Sequence, residues 1–204
     1  MSTTIESMKW RNFDDDSMPP LLWSAVQTFV AHGYHGTSTR TLAAAAHMSV
    51  PGLYHHFASK QAIIVAIMEH AMADLRNRSE AALREAGDDS AQQLDLHIEC
   101  LALFHAHRKE LAFLAATELR SLEPAARESH IAARDRQERL LVEILRTGVE
   151  RGVFANQNSA QVARALITMC TGISQWFRGD GPLTASAIAQ DYVRYARQIV
   201  APAG

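Results

Sequence analysis

The chain has 204 residues, 48% of them hydrophobic, with 10 glycines, 6 prolines and a formal net charge of −2. This composition excludes a disordered polymer and favours a helical protein with a real core, or a small head joined to a larger body. There is no apolar run of the ~18 residues that a membrane span needs, no leader-like N-terminus and no paired cysteine framework, so we expect a cytoplasmic protein without membrane segments.

Hydrophobic periodicity and helix-breaking residues predict an all-α fold of about nine helices. Asp16 or Ser17 can cap the first helix, Pro19 and Pro20 fit its first turn, and Gly33 ends it. The later helices are predicted over residues 40–47, 50–57, 60–86, 91–107, 109–119, 124–151, 159–178 and 184–200. Because the early helices are short and the later ones long, we predict an arm over residues 1–18, one domain over 19–65 and a second over 66–204.

The second and third predicted helices, of about eight residues each, are joined by a tight turn at residues 47–49 and form a helix-turn-helix. In this interpretation Leu42, Leu53 and Phe57 face the core. The start and outer face of the third helix then present Ser49, Val50, Pro51, Gly52, Tyr54, His55 and His56.

The outer face of this third helix has the chemistry of a DNA-binding surface. The hydroxyl of Tyr54 suits a phosphate oxygen, and His55 and His56 can bond base edges or phosphates. Gly52 removes bulk where a helix would press against a groove. The helix starts at residues 39–40 and 59–60 present N–H groups that bind phosphate. The alternative is a packing module that binds no DNA and, for His56, a capping or packing role alone.

The distribution of charge supports the same hypothesis, although the net charge does not. Between Ser17 and Met68 there is no Asp or Glu, whereas the whole chain has 22. That stretch holds Arg40, Lys60 and five histidines. A surface that faces DNA avoids carboxylates because they repel its phosphates. Chance in an alanine-rich stretch is the alternative.

A set of residues in fixed order over about residues 20–65 resembles the N-terminal signature of TetR-family regulators. These residues are Gly33-Tyr34, Thr37-Ser38, Leu42-Ala43, Ala46, Ser49, Gly52-Leu53-Tyr54, His56-Phe57 and Ser59-Lys60. The resemblance implies that the third helix is the recognition helix. It also implies that Tyr54 and Lys60 hold phosphates and that His55 and residues 50–52 face the groove. Thr39 and Arg40 would hold the flanking DNA backbone.

Two positions depart from this family pattern. Residues 18–20 stand where the family often has a basic residue, and Gln61 stands where an acidic residue is common. Lys9 or Arg11 in the arm could supply the missing positive charge. The alternative is that the arm is a tail without structure.

The last two predicted helices carry apolar residues on more than one face, which indicates a partner beyond their own core. In the TetR family these helices pair with their twofold mates. The resemblance therefore implies a homodimer whose recognition helices lie roughly 34–36 Å apart, one turn of DNA. A thick monomeric core is the alternative.

The C-terminal part is predicted to bind a small-molecule effector in a mostly apolar interior with a few polar groups. The candidate ligand-binding residues are Phe104, His107, Phe113, Leu141, Arg164, Met169, Ile173 and Trp176. Ordinary core packing is the alternative for each of them. Residues 172–182 are similar to the equivalent region of family members that respond to acyl-CoA ligands.

Together these features predict a transcriptional repressor that an effector releases from a palindromic double-stranded DNA operator. An activator of the same fold, or a ligand-binding protein without DNA, is the alternative. His97 and Cys100 stand three residues apart on a predicted helix and could hold a metal, but no third ligand matches them. We therefore expect that the protein is not an enzyme and that it has no metal site and no cofactor.

Overall fold

The computed structural model describes residues 10–14, 18–155 and 158–202, and within them it has nine α-helices, a 3-10 turn and no strand. The helices are α1 (Pro20–Gly36), α2 (Thr39–Ala45), α3 (Val50–His56), α4 (Lys60–Ala86), α5 (Ser90–His107), α6 (Lys109–Thr117), α7 (Pro124–Glu150), α8 (Ser159–Trp176) and α9 (Ala185–Val200). The predicted helices are thus confirmed, with ends shifted by a few residues at most. None of the helices in the described ranges is long and apolar enough to cross a membrane.

Short polar side chains begin the N-terminal helices. Ser38, Ser49 and Ser59 each accept a hydrogen bond from a backbone N–H three residues on, at 3.0–3.1 Å. These bonds satisfy N–H groups that have no partner inside the helix, so each serine stabilises the start of its helix. Asp16 and Ser17, the predicted caps of α1, lie outside the described residues. Gly33 interrupts α1 with a φ of 68°, a backbone region that glycine adopts readily.

The chain divides into two compact units, which are described separately. The head unit comprises the described residues of 16–73 and 108–135. Its core joins the three N-terminal helices to the start of α4 and to α6, through Leu22, Val26, Phe29, Leu42, Leu53, Ile63, Ile64, Ile67, Leu111 and Leu114. Seven-residue helices such as α2 and α3 are too short to be stable alone, so this packing holds them in place.

The body unit comprises the described residues of 1–15, 74–107 and 136–204. Most of α5 is buried there, because α5 packs against both α8 and α9. Leu101 and Phe104 of α5 are 2% and 3% exposed, and Leu166 and Ile173 of α8 are fully buried. This extended apolar interior has the character that the sequence predicts for the C-terminal part.

Residues Trp10–Asp14, here called the N-terminal segment, pack onto the rest of the body unit. Trp10 is 3% exposed and Phe13 is 9% exposed. The guanidinium of Arg78, in α4, donates to the carbonyl oxygens of Trp10 at 2.8 Å and Asn12 at 2.7 Å. It also lies 3.9 Å from the centre of the Phe13 ring. Buried hydrogen bonds and apolar contacts therefore hold this part of the arm.

Arg11 belongs to the same segment, and its position corrects a prediction. Its guanidinium donates to Glu99 at 2.7 Å and to Glu85 at 2.8 Å. Two carboxylates thus neutralise its charge, and the hypothesis that Arg11 supplies positive charge ahead of the first helix is wrong. Lys9, the other candidate for that role, lies outside the described residues.

Candidate DNA-binding surface

The α2–turn–α3 segment has the geometry of a helix-turn-helix. His47, at the turn between the helices, has a φ of 55°, a left-handed conformation that is uncommon outside glycine. Leu42 of α2 and Leu53 of α3 are 1% and 2% exposed, so each helix buries one side in the head core. Phe57 is partly buried and packs against the same core. All three residues face inward as predicted.

The opposite side of α3 is open to solvent. Tyr54 is 47% exposed, and Pro51, His55 and His56 are also exposed. His55 and His56 lie edge to face, with ring centres 5.6 Å apart. An exposed tyrosine hydroxyl and two imidazole rings offer donors and acceptors without a carboxylate beside them in sequence, which suits phosphate and base edges.

Other predicted contact residues border this face or are less accessible. Val50 is half-buried and packs against the head core. Ser49 uses its hydroxyl to accept from the Gly52 N–H at 3.1 Å, so its first role is to begin α3. Thr39, the first residue of α2, is half-buried, whereas Arg40 is exposed and makes no ion pair within the described ranges. Arg40 is the charged residue of these four, and its exposed side chain can meet a phosphate.

Lys60 has a structural role that the sequence did not predict. Its Nζ donates to the carbonyl oxygens of Tyr34 and Thr37, each at 2.8 Å, and lies 4.1 Å from the centre of the Tyr34 ring. It thereby satisfies carbonyl groups at the end of α1. An ammonium has three N–H groups, so one remains for a phosphate.

Gln61, which departs from the family pattern, is also tied to the end of α1. Its amide nitrogen faces the Tyr34 hydroxyl at 2.8 Å and the Ser121 carbonyl at 3.2 Å, while its oxygen accepts from the Glu123 N–H at 2.7 Å. Burial, followed by the charge of Glu123, raises the pKa of Tyr34. The neutral amide therefore positions α1 and α4 without adding negative charge to this surface.

The structure does not bring the eight predicted effector residues together. Phe104, Leu141 and Ile173 are buried in the body unit and Met169 is partly buried, as an interior site requires. The remaining four are not in the buried interior. Phe113 belongs to the head unit and is 40% exposed. In the body unit, Trp176 is 49% exposed, His107 is exposed and stacks on Phe13, and Arg164 has a 74% exposed side chain near Glu138.

The predicted interior position of these four residues is therefore wrong. Helical periodicity identified apolar residues on α8 correctly, but it did not show which of its two apolar faces is covered within the chain. The N-terminal segment was missed for another reason. Trp10 and Phe13 were its signal, but they stand in a mostly polar arm without helical periodicity.

His97 and Cys100 are both fully buried in the body unit. No group of three potential metal ligands is found among the described residues, so this pair is not part of a metal cluster there. Burial lowers the pKa of His97 to about 4 and raises the pKa of Cys100 to about 12. Both side chains are thus uncharged at neutral pH, and the thiol is a poor nucleophile.

The comparisons with known proteins agree with this architecture. Residues 21–67 match the family model described as bacterial regulatory proteins, tetR family, and residues 87–200 match the one described as tetracyclin repressor-like, C-terminal domain. The chain is 30% identical over 178 residues to the HTH-type transcriptional repressor KstR2 of Mycobacterium tuberculosis, covering 85% of this chain and 87% of that protein.

Solved structures give the same picture. The TetR family transcriptional regulator PfmR from Thermus thermophilus is 35% identical with a TM-score of 0.81, covering 87% of this chain and 97% of that one. AibR in complex with isovaleryl coenzyme A and operator DNA is 26% identical with a TM-score of 0.75, covering 86% of this chain and 95% of that one.

Proposed function

Because the chain belongs to the tetR family of bacterial regulatory proteins, we propose that it is a DNA-binding transcriptional repressor that a small-molecule effector releases from a palindromic operator. The relative KstR2 is a transcriptional repressor by name. AibR was solved with both an acyl-CoA and operator DNA.

The exposed face of α3 is the observation that carries this proposal. Tyr54 is 47% exposed while Leu53, one residue away, is 2% exposed, so the helix is anchored on one side and free on the other. In the proposed complex residues 50–52 and His55 enter the major groove, and His56 contacts a base edge or a phosphate. Thr39, Arg40, Tyr54 and Lys60 hold the backbone, and Ser49 fixes the start of α3.

The proposed repressor is a homodimer, because a palindrome needs two recognition helices. Three large apolar side chains of α8 and α9 support this: Trp176 is 49% exposed, Tyr195 40% and Ile199 44%. Apolar groups of this size on helices whose other faces are already buried fit an interface between two copies of the chain.

The proposed effector is an acyl-CoA or another largely apolar ligand, held in the body unit near Phe104, Leu141, Met169 and Ile173. α4 belongs to the head unit at Lys60 and to the body unit at Ala86, so a displacement of this continuous helix can pass from one to the other. A coupling of ~1–3 kcal/mol would weaken operator binding several-fold to about 150-fold. The same proposal makes the protein a cytoplasmic regulator and not an enzyme.

A matched pair of arginines tests the DNA-binding surface. Arg40 and Arg127 are both exposed residues of the head unit, but Arg127 lies on the mixed-charge surface of α7. Binding to the DNA upstream of the protein's own gene is measured by fluorescence anisotropy at several salt concentrations. We expect Arg40→Ala to reduce the salt slope by about one per protomer, because one phosphate contact is lost, and Arg127→Ala to leave it unchanged. Equal slopes for the two variants would refute the proposed surface.

A further inference from the structure

The buried polar side chains of the body unit are paired, with two exceptions among the residues described. Arg78 donates to Asp74 at 2.8 Å, Gln137 donates to Ser79 at 2.5 Å, and Arg151 reaches Ser90 at 3.4 Å. His97, in contrast, has no hydrogen-bond partner on either ring nitrogen, and His105 has none on Nδ1. His97 is fully buried, so its two nitrogens are enclosed by protein and touch no solvent.

An imidazole in this position is a poor choice for packing alone. A buried donor or acceptor without a partner loses the hydrogen bonds that it makes with water in the unfolded chain, whereas a leucine loses none. The neighbours of His97 on the same face of α5 are apolar: Leu101 lies one turn further on and Phe104 two turns further on, and both are buried. A polar group that a stable core does not need indicates a partner in another state of the protein.

We propose that His97 is the hydrogen-bond donor to the acyl carbonyl oxygen of the effector, an acyl thioester whose hydrocarbon part is buried in the body unit. This inference rests on the proposed function, because it names the chemistry of the same effector site. It adds a polar anchor on α5 that is distinct from the ligand-binding residues suggested by the sequence.

The chemistry of the ring favours an uncharged partner. Burial lowers the pKa of His97 to about 4, so the ring is neutral at pH 7 and offers one N–H donor and one acceptor. A carboxylate or phosphate at this depth would be an unpaired buried charge. A thioester carbonyl is uncharged, accepts a hydrogen bond and lies next to an apolar chain, which matches a single donor on the same face of α5 as the buried Leu101 and Phe104.

The enclosure of His97 also bears on regulation. Because both ring nitrogens are covered by packed protein, a ligand can reach them only after side chains around α5 move. Effector binding at His97 therefore requires a conformational change in the body unit. By binding only the opened conformation, the effector shifts the protein from the closed conformation towards the opened one.

Paired ligands that differ only in the carbonyl test this role. The probes are isovaleryl-, octanoyl- and palmitoyl-CoA, each beside the S-alkyl CoA thioether of the same chain, which lacks the carbonyl oxygen. Affinity is measured by isothermal titration calorimetry on the full-length protein. We expect the wild type to bind at least one thioester about tenfold more tightly than its thioether, because the hydrogen bond is lost in the thioether. The coenzyme part is the same in both, so its contribution cancels.

Three variants test whether His97 is the source of the higher affinity for the thioester. His97→Leu should reduce the ratio of thioester to thioether affinity to about one. This variant should melt at or above the wild-type temperature, since an unsatisfied polar group has been removed. His97→Asn keeps a neutral donor and should retain part of the preference. His130→Leu is the matched control: His130 is 6% exposed with an unpartnered Nε2, but it belongs to the head unit, so the ratio should stay at the wild-type value.

Three outcomes would overturn the proposal: a wild type that binds thioester and thioether equally, a His97→Leu variant that keeps the preference, or a wild type that binds none of the thioesters. Operator binding by the same preparations is measured in parallel. If the ligand results are negative while operator binding is intact, the assignment of His97 fails and the proposed repressor function stands. If operator binding is absent, the proposed function itself fails.

Discussion

Lys60 illustrates how a single side chain can combine a structural role with a proposed contact to DNA. Two of its three N–H groups are used by the carbonyls of Tyr34 and Thr37, each at 2.8 Å. The end of α1 and the start of α4 therefore depend on the same positive charge that the third N–H can offer to a phosphate.

Replacing Lys60 by methionine should affect stability and DNA binding separately. We expect Lys60→Met to lower the free energy of unfolding by about 1–3 kcal/mol, because two partly buried carbonyls lose their donor. The salt slope of operator binding should fall by about one. Urea denaturation and salt-dependent anisotropy measure the two effects. Lys109→Met is the control, because the Lys109 side chain is 44% exposed and its ion pair, with Glu110 at 3.8 Å, is at the surface. An unchanged free energy of unfolding in Lys60→Met would contradict the capping role.

The two buried histidines of α5 should make stability depend on pH. Burial lowers the pKa of His97 and of His105 to about 4, whereas an unfolded histidine titrates near 6.5. Between these values the unfolded chain binds more protons than the folded one. The free energy of unfolding is therefore highest above about pH 6.5 and decreases as the pH falls towards about 4.

We expect the free energy of unfolding to decline by on the order of 1 kcal/mol per pH unit for each histidine within that window. Urea denaturation from neutral to acid pH measures the decline, and His97→Leu should make it shallower. A variant with the same pH dependence as the wild type would show that His97 is protonated equally in both states.

Among the elements, the N-terminal segment shows how a short stretch without helical structure is held by side chains distant in sequence. Phe13 stacks on His107 with ring centres 4.6 Å apart and lies 3.9 Å from the guanidinium of Arg78. Arg78 is 4% exposed and forms an ion pair with Asp74, which is 8% exposed. Its Nη1 donates to the carbonyl oxygens of Trp10 and Asn12 in the segment, so losing the segment would leave a buried cation partly unpaired.

Two residues of this segment, Phe13 and Arg11, should differ sharply in their effect on stability when replaced. We expect Phe13→Ala to lower the free energy of unfolding by about 3–5 kcal/mol, as for other buried aromatic side chains. Arg11→Ala should cost less than about 1 kcal/mol, because its ion pairs are solvent-exposed and therefore screened. Chemical denaturation of both variants gives the comparison. Similar small losses would indicate that the segment contributes little to the body unit.

The helices themselves were predictable because the information that forms them is local. Ser49 and Ser59 cap helices through N–H groups three residues away, and the glycine and proline breaks lie at the predicted ends. The partners of the N-terminal segment are not local: Trp10 donates to Glu85, 75 residues further on. No periodicity in the sequence specifies such a pairing, so the segment's docking could not be predicted.

The candidate sites were predictable to different degrees for the same reason. The exposed face of α3 follows from the spacing of Leu53 and Tyr54 within one helix. The effector site depends on how α5, α8 and α9 pack, and side chains such as Trp176 remain about half exposed in that packing. Which face of a long amphipathic helix is covered within its own chain depends on tertiary structure, which the sequence pattern leaves open.

For the molecule as a whole, the proposed regulation requires two copies, because a single head unit can read only half of a palindrome. The exposed apolar side chains Trp176, Tyr195 and Ile199 lie on α8 and α9, while other residues of these helices, such as Ile173 and Ala196, are buried in the body core. An interface built on this outer surface would leave the head core intact. Dimerisation and the fold of the head unit are therefore expected to be separable by mutation.

A charge placed in the outer surface of α9 tests that separation. We expect Ile199→Asp to convert the dimer into a monomer, because each copy would bury an unpaired carboxylate in an apolar interface. Sedimentation velocity measures the change, and operator affinity should fall at least tenfold, since the two half-sites no longer bind as one. Val153→Asp is the matched control, because Val153 is an equally exposed apolar residue of the body unit, at 41% against 44%, and lies in the turn after α7. If Ile199→Asp remains a dimer with wild-type operator affinity, the two copies associate through a different surface.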